Sequence, residues 1–195
     1  FGLKGAEMRD LMYKIEHDQT VTPECQALAV STVRDSFPNW AQHLVEKRFC
    51  LQRVVGNRIA YVPKTANVDR TIGIEPSLNV FLQKGVDVYM RSRLRAHMGL
   101  RLDDQEWSID CMREKGSNIS TIDLSAASDS VSTELVRWFC PPEWFALLDT
   151  LRSRSYTTDG LSFTRYHKFS SMGNATTFPL ESAIFMAVAK ASCVV

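Results

Sequence analysis

The sequence has few cysteines and histidines, and neither residue type is grouped as a metal site or a redox pair requires. The five cysteines lie at least 25 residues apart, and the four histidines are scattered along the chain. No CxxC pair, HExxH sequence or other zinc-ligand spacing occurs, so the sequence predicts neither a zinc centre nor a dithiol site. Separated cysteines in odd number favour a reducing compartment, the cytosol.

Long apolar runs and the common nucleotide-binding and hydrolase signatures are also missing. The longest uncharged run near the C-terminus is the eight residues between Glu181 and Lys190. A bilayer-crossing helix needs roughly 20, so no membrane span is predicted. The sequence contains no Walker A motif, no GxSxG elbow and no GxGxxG loop, and we set aside the enzymes that depend on them.

The composition is that of a globular protein. Hydrophobic residues make up 45% and charged residues 23% of the 195 positions, which excludes collagen-like and wholly disordered chains. Apolar spacing and capping residues predict helices and strands without regular βαβ alternation, so we expect an α+β fold class. The predicted helices cover residues 22–35, 79–97, 132–139, 143–151 and 179–195, and the predicted extended segments are 51–62, 119–124 and a hairpin around Asp159-Gly160.

Charge is segregated along the chain. Residues 1–46 carry four Lys and Arg against seven Asp and Glu, residues 47–101 carry eleven against three, and residues 102–195 carry eight against twelve. The excess of positive charge in the middle block repels itself unless an anion lies on the surface, and a nucleic-acid backbone is the usual anion. The alternative is a solvated basic face. The candidate RNA-binding residues, on the helix predicted from Asn79, are Arg91, Arg93 and Arg95.

Residues 121–130, with the sequence TIDLSAASDS, contain two carboxylates of interest. Asp123 lies in a predicted strand between two aliphatic residues, where an uncompensated carboxylate is costly to bury. A bound cation would compensate it, and Asp129, on a turn of small residues, would face the same cleft. The alternative is that Asp123 is a hydrogen-bonded structural acid and that Asp129 caps the helix beginning near Ser132.

Two further stretches carry groups that bind phosphates or sugars. Residues 62–76, VPKTANVDRTIGIEP, place Lys64 and Arg70 around a loop, and an ammonium beside a guanidinium fork suits a triphosphate. The alternative is a solvated basic loop in which Arg70 pairs with a neighbouring acid. Residues 171–174 supply a hydroxyl, a glycine and an amide before a helix, which suits a sugar or phosphate but also an ordinary turn.

Taken together, these stretches resemble motifs F, A and B of viral RNA-directed RNA polymerases, and closely resemble the replicases of single-stranded RNA bacteriophages, the Q-beta type. The resemblance rests on DLSAASDS at 123–130, SSMGN at 170–174, VPK at 62–64 and IEP at 74–76, and it extends from about Leu44 to the last residue. The family implies a partial right-hand polymerase. Its expected parts are an N-terminal helical, fingers-like segment over 1–46, a basic fingers region with motif F over 47–118, and a palm region with motifs A and B over 119–195.

The resemblance also implies roles for single residues. Asp123 matches the catalytic motif A carboxylate that binds Mg²⁺ in a two-metal site, and Asp129 matches the position that reads the ribose 2′-hydroxyl of the incoming nucleotide. Many such polymerases have Asn eight residues after the motif B glycine, where this chain has Glu181, so Asn174 is an alternative for ribose selection. The residues that match nucleotide-binding positions of motifs F and B are Lys64, Arg70, Ser171, Gly173 and Asn174.

The family implies RNA template and nucleoside triphosphates as partners, host translation factors as further partners, and the cytoplasm of an infected bacterium as the location. The second carboxylate set of the metal site belongs to a motif C Gly-Asp-Asp, which this sequence does not contain. We therefore expect a piece of a longer polymerase that does not synthesise RNA by itself.

Two other functions are open at the level of sequence. The first is a non-catalytic RNA-binding module, in which the basic block binds phosphates and the acids are structural. The second is a metal-dependent nuclease or phosphotransferase that uses Asp123 and Asp129.

Overall fold

The computed structural model describes residues 17–116 and 124–193. These residues form helices and short strands in the mixed order that the α+β prediction requires. The helices are α1 (Pro23–Ser36), α2 (Pro38–Glu46), α3 (Ser77–Met98), α4 (Gln105–Lys115), α5 (Ala127–Ser130), α6 (Thr133–Phe139), α7 (Pro142–Leu151) and α8 (Thr177–Ser192). The strands are β1 (Gln19–Val21), β2 (Leu51–Arg53), β3 (Asn57–Thr65), β4 (Val68–Ile74), β5 (Ser155–Thr157) and β6 (Thr164–Arg165).

The strands make two small sheets. Strands β1 and β2 pair in parallel, with Gln19 opposite Leu51. The second sheet has the order β4-β3-β5-β6, in which β3 is antiparallel to β4 and parallel to β5, and β5 is antiparallel to β6. Only the first two residues of β3 pair with β5, so the rest of the β3–β4 hairpin extends beyond the sheet.

Helix α3 contributes to two neighbouring apolar cores. One core contains residues from β1, α1, the start of α3 and the end of α7, including Val21, Val33 and Leu151. The other is built around Phe169 and Leu180 and includes Met90, further along α3. Val86 of α3 packs against both clusters, and α7 also contributes to both. Because α3 is shared, the segments before and after it are held in one packed unit.

Most of the predicted elements are confirmed. Helices α1, α3, α6 and α7 begin and end within two residues of the predicted bounds. Helix α8 begins two residues earlier than predicted, at Thr177, and ends at Ser192 rather than continuing to residue 195. Ser132 caps α6 through a hydrogen bond from the Leu135 amide at 3.1 Å. The predicted hairpin turn is also present: Asp159 accepts bonds from the Leu161 and Ser162 amides, which lower its pKa to about 2.

Other elements differ from the predictions. The loop predicted between Lys64 and Arg70 is present but short: it is the turn at residues 66–67, and both basic residues lie in the flanking strands of the β3–β4 hairpin. Pro63 is compatible with β3 because that part of the strand pairs only with β4 and needs no second set of hydrogen bonds. Helices α2, α4 and α5 and strands β1 and β4 were not predicted. The predicted strand at 119–124 lies outside the described residues except for Leu124, which is in no strand.

Within residues 17–116 and 124–193, the helices fall short of the combined length and apolarity that a bilayer-spanning helix needs.

The side chain of Asn79 joins the start of α3 to two other segments. Its Oδ1 accepts a bond from the Thr22 amide at 3.0 Å, and its Nδ2 donates to the Thr22 hydroxyl at 2.9 Å and to the Leu151 carbonyl at 3.0 Å. Asn79 is fully buried, and Thr22 nearly so. The amide therefore ties the beginning of α1 to the end of α7.

We predict that Asn79→Ala lowers the free energy of unfolding by about 1–3 kcal/mol, because the buried Thr22 amide loses its acceptor. Urea denaturation followed by circular dichroism measures the change. Asn39→Ala, at an exposed position of α2, is the matched control and should change stability by less than about 0.5 kcal/mol. Equal effects of the two substitutions would contradict the role given to Asn79.

Candidate functional site

The buried carboxylate of Glu75 lies at the end of β4 and joins several elements. Its Oε1 accepts a bond from Asn57 Nδ2 at 3.0 Å, and its Oε2 accepts bonds from the Ser153 hydroxyl at 2.7 Å and the Ser153 amide at 3.2 Å. Gln83 of α3 donates a longer bond of 3.4 Å. Burial raises the pKa of Glu75, and the bonds from Ser153, Asn57 and Gln83 oppose that rise. We call Glu75, Asn57, Gln83 and Ser153 the Glu75 cluster.

Asn57 connects the Glu75 cluster to the loop before α8. Its Nδ2 also donates to the hydroxyl of Ser171 at 3.1 Å, and its Oδ1 accepts a bond from the Tyr166 hydroxyl at 2.9 Å. Asn57 is 1% exposed and Ser171 is 4% exposed. One amide thus orients a loop residue predicted to bind nucleotide and a tyrosine that sequence reasoning missed.

Residues 170–174, the 170–174 loop, lie directly on strand β4. The Gly73 amide donates to the Met172 carbonyl at 2.7 Å. A Cβ on Gly173, whose φ is +114°, would lie 2.2 Å from the Gly73 carbonyl oxygen, and a Cβ on Gly73 would lie 2.5 Å from the Ser171 hydroxyl. The two glycines therefore permit a backbone approach that any side chain would prevent.

A buried arginine supports the segment that leads into this loop. Arg152 donates to the Phe169 carbonyl at 2.9 Å, pairs with Asp149 at 2.7 Å, and lies 4.7 Å from the centre of the Phe169 ring. Burial lowers the pKa of Arg152, and its bond to Asp149 opposes this. The Phe169 side chain is fully buried, and its carbonyl accepts the bond from Arg152. Apolar packing and a hydrogen bond therefore both hold the backbone on the N-terminal side of the loop.

Asp129 lies in the short helix α5 and contacts a lysine just before the 170–174 loop. The Lys168 ammonium pairs with Asp129 Oδ1, and the Asp129 side chain remains 56% exposed. The alternative that Asp129 caps α6 is wrong, since Ser132 provides that cap. Asp129 is therefore an exposed acid with a basic partner.

An open cavity of about 590 Å³ brings these groups together. It lies between the β3–β4 hairpin, the β5–β6 hairpin and α5. Aromatic rings, several hydroxyls, one acid (Asp129) and two cationic residues (Arg165 and Lys168) line it, which suits a ligand with a planar ring and polar or anionic substituents. Its lining includes Tyr61, Thr71, Gly73, Asp129, Tyr166, Lys168 and Ser171.

Lys64 and Arg70 lie further out on the β3–β4 hairpin. Both are exposed, and neither belongs to the described lining of the cavity. Arg70 pairs across the hairpin with Val62, whereas the cavity residues Tyr61 and Thr71 form the next pair. Because side chains alternate along a strand, Arg70 lies on the face opposite to the cavity.

The three predicted RNA-binding arginines on α3 differ in their surroundings. Arg91 bonds to Asp87 at 2.6 Å, pairs with Asp103, and lies 5.5 Å from the centre of the Phe178 ring. Its charge is therefore largely balanced within the protein. Arg93 and Arg95 are exposed.

Asn174 and Glu181, the two alternatives for ribose selection, are both outside the described cavity lining. Asn174 is buried, and its Oδ1 accepts bonds of 2.8 Å from the amide and the hydroxyl of Thr176. Burial raises the pKa of Glu181, whose Oε2 has no hydrogen-bond partner among the described residues. Asn174 thus orders the start of α8.

Asp123, the predicted catalytic and metal-binding residue, lies outside the described residues. In the parts of the chain that are described, no group of three or more His, Cys, Asp or Glu side chains could hold a metal ion.

Sequence reasoning missed the residues that support the site. Lys168, Tyr166 and Asn57 carry no recognisable spacing, and their roles arise from contacts across 39 to 114 positions of sequence. In the sequence, Glu75 stands out only as part of IEP. The burial of Glu75 and strand β4 before it become apparent only in the structure.

We predict that the stability difference between the wild type and Glu75→Gln depends on pH. Because burial raises the folded pKa of Glu75 above its ordinary value of 4.5, the neutral acid favours folding. This stabilisation is complete below about pH 4.5 and is lost as the pH rises through the folded pKa, by about 1.4 kcal/mol for each pH unit that separates the two pKa values. Denaturant titrations from acid to neutral pH should therefore find the wild type losing stability relative to Glu75→Gln.

The control for this prediction is Glu134→Gln, since the Glu134 side chain is 80% exposed. Its stability difference from the wild type should vary far less over the same range. A difference for Glu75→Gln that stays constant with pH would contradict the raised pKa.

We predict opposite effects for two Gly→Ala substitutions. Gly173→Ala should lower the free energy of unfolding by at least about 1–3 kcal/mol, because it forces a side chain into a positive-φ conformation against Gly73. Gly85→Ala, in the interior of α3 with open space around it, should raise that energy by about 0.5–1 kcal/mol. Thermal denaturation of both variants tests this, and stabilisation by Gly173→Ala would contradict the described loop contact.

Comparison with known proteins agrees with the sequence resemblance. Residues 7–195 match the family model described as RNA replicase, beta-chain. The chain is 41% identical over 184 residues to the RNA-directed RNA polymerase beta chain of Escherichia phage MS2, covering 92% of this chain and 33% of that protein. It is 45% identical over 141 residues to the RNA-directed RNA polymerase subunit beta of Escherichia virus Qbeta, covering 70% of this chain and 23% of that protein.

The chain thus spans a third or less of the length of these two relatives. The match includes the α5 acid, the β3–β4 hairpin and the 170–174 loop, which are the elements around the cavity. On this evidence the chain belongs to the RNA replicase beta-chain family.

Proposed function

We propose that this chain supplies part of the nucleotide-binding and catalytic centre of an RNA-directed RNA polymerase that copies a phage RNA genome. The observation that carries the proposal is the shared cavity of Asp129 and Ser171, which come from the motif A and motif B stretches. Membership of the replicase family supports the same activity. Neither an RNA-binding module nor a nuclease accounts for both observations.

In the proposed reaction, the 3′-hydroxyl of the growing RNA attacks the α-phosphate of a nucleoside triphosphate, and pyrophosphate leaves. Asp129 accepts a hydrogen bond from the ribose of the incoming nucleotide. By resemblance to motif F, Lys64 and Arg70 offset negative charge on the triphosphate, so in this proposal the triphosphate extends out of the cavity to the exposed β3–β4 hairpin. The 170–174 loop supports the nucleotide and template through Ser171, Gly173 and Asn174.

Arg91, Arg93 and Arg95 are the proposed RNA contacts on α3. Arg93 and Arg95 carry more of this binding, since the Arg91 charge is already shared by two carboxylates. The finer fold proposal is a right-hand polymerase, with fingers over 1–118 and palm over 119–195.

Asp123 is the proposed ligand for Mg²⁺, which prefers oxygen donors and would stabilise charge on the reacting oxygens when bound. Template RNA and nucleoside triphosphates are the proposed substrates. By resemblance to the family, host translation factors are proposed partners, and the bacterial cytoplasm is the proposed location.

We predict that Asp123→Asn lowers template-dependent RNA synthesis by about a hundredfold or more, the loss expected when one contact to transition-state charge is removed. The assay uses a chimera in which this chain replaces the matching residues of the phage MS2 beta chain. Incorporation of labelled nucleotides on a defined template gives the rate.

The matched control is Asp110→Asn, because Asp110 is 63% exposed on α4, pairs only with Arg113 among the described residues, and lies away from the cavity. It should retain at least about half of the activity, as expected for a surface ion pair. Full activity of Asp123→Asn would contradict the polymerase proposal and favour an RNA-binding module. Cleavage of RNA with Mg²⁺ but without nucleotides would favour a nuclease.

A further inference from the structure

Lys168 and Asp129 are held at a fixed separation by the backbone around them. The Phe169 amide donates to the Val131 carbonyl at 2.8 Å, and Ser132 and Lys168 form an antiparallel bridge. Val131 and Phe169 are both buried in the same apolar cluster. The segment after α5 and the segment before the 170–174 loop are therefore joined at the two positions beside the ion pair.

The Lys168 ammonium is anchored more firmly than a surface lysine. It pairs with Asp129 Oδ1 and lies 5.5 Å from the centre of the Tyr166 ring. The Tyr166 hydroxyl is in turn bonded to the buried Asn57, which belongs to the Glu75 cluster. Lys168 is 26% exposed, less than half the exposure of Asp129. The Lys168 ammonium is thus held in position by contacts within the protein.

An ionised carboxylate is a pure acceptor with two oxygens and about four lone-pair sites. At Asp129 the lysine occupies Oδ1, so the carboxylate is oriented while its other oxygen can accept a bond from a ligand. Since Asp129 lines the cavity and is more than half exposed, that acceptor is accessible to a molecule bound there. A ligand with a hydroxyl at this point satisfies the acceptor, whereas one with hydrogen there does not.

We propose that Lys168 is a positioning residue that orients Asp129 to accept a ribose hydroxyl, and so determines the preference of this cavity for ribonucleotides over deoxyribonucleotides. This inference rests on the proposed function, because it takes a nucleotide as the ligand. It makes Lys168, the residue before the buried Phe169, the partner of Asp129 in ribose selection, rather than Asn174 in the 170–174 loop or Glu181 in α8.

A different role for the same lysine makes a different prediction. If Lys168 only attracted the triphosphate, its removal would weaken the binding of ribonucleotides and deoxyribonucleotides equally, because both carry the same phosphates. If it positions Asp129, its removal should weaken only the ligand that has the 2′-hydroxyl. The ratio of the two affinities therefore separates the roles, and a general loss of structure does not imitate that change.

The experiment measures the dissociation constants of ATP and 2′-deoxy-ATP for this chain by calorimetry. The wild type should bind ATP more tightly than 2′-deoxy-ATP. Lys168→Met should raise the dissociation constant of ATP about tenfold, the effect of losing one charge-assisted contact, and should leave that of 2′-deoxy-ATP unchanged. Lys168→Arg, which keeps the charge, should retain most of the preference. Lys190→Met, at an exposed position in the last turn of α8, is the matched control and should leave both constants unchanged.

A second variant keeps the inference testable if Lys168→Met folds poorly. Asp129→Asn should lose the same preference, and adding Lys168→Met to it should cause no further loss. Equal weakening of the two nucleotides by Lys168→Met, no change in either, or no preference in the wild type would overturn the inference. The chimera assay tests the proposed function separately. If the chimera synthesised no RNA while this chain kept its preference for ATP over 2′-deoxy-ATP, the result would contradict the polymerase proposal alone.

Discussion

The buried carboxylate of Glu75 is the interaction on which the arrangement of the site depends. It is 7% exposed, and its described contacts are hydrogen bonds from Asn57, Gln83 and Ser153, which belong to different elements. A buried carboxyl group has its hydrogen bonds satisfied only in the one arrangement that brings these donors together. The β-hairpin, α3 and the segment after α7 are therefore fixed relative to one another.

That arrangement reaches the cavity through Asn57. Its amide contacts both the Glu75 carboxylate and the Ser171 hydroxyl, so the 170–174 loop is oriented by the same group that satisfies the buried acid. The close approach of Gly73 and Gly173 leaves this loop little freedom to shift. The cavity wall formed by Ser171 is thus supported by a buried polar cluster, as a binding site of defined geometry would require.

The basic residues of this protein differ in whether nearby acids already balance their charge. The excess of positive charge over residues 47–101 suggested a single anion-binding face, but the structure separates its members. Arg91 is neutralised by Asp87 and Asp103, whereas Lys64 and Arg70 project on an exposed hairpin. The number of charged residues can be read from the sequence. Their ion-pair partners cannot, because the partners depend on tertiary contacts.

Much of the local structure could be predicted from the sequence. The apolar spacing of α3, the proline and threonine at the start of α1 and the Ser132 cap are local signals, and the corresponding helices are present. Strand β4 was missed because Asp69 and Gly73 are poor strand formers. It forms because its backbone pairs with β3, and pairing between strands outweighs intrinsic preference.

Some features of the candidate site could likewise be read from the sequence, and others could not. The sequence alone determined the motif stretches, with Asp129, Ser171 and Gly173 among them, since their order and spacing are written in the chain. Only the tertiary structure decided that Lys168 is the partner of Asp129 and that Asn57 orients Ser171. The reason is physical: an ion pair or a buried hydrogen bond between distant residues exists only after packing has brought their backbones together.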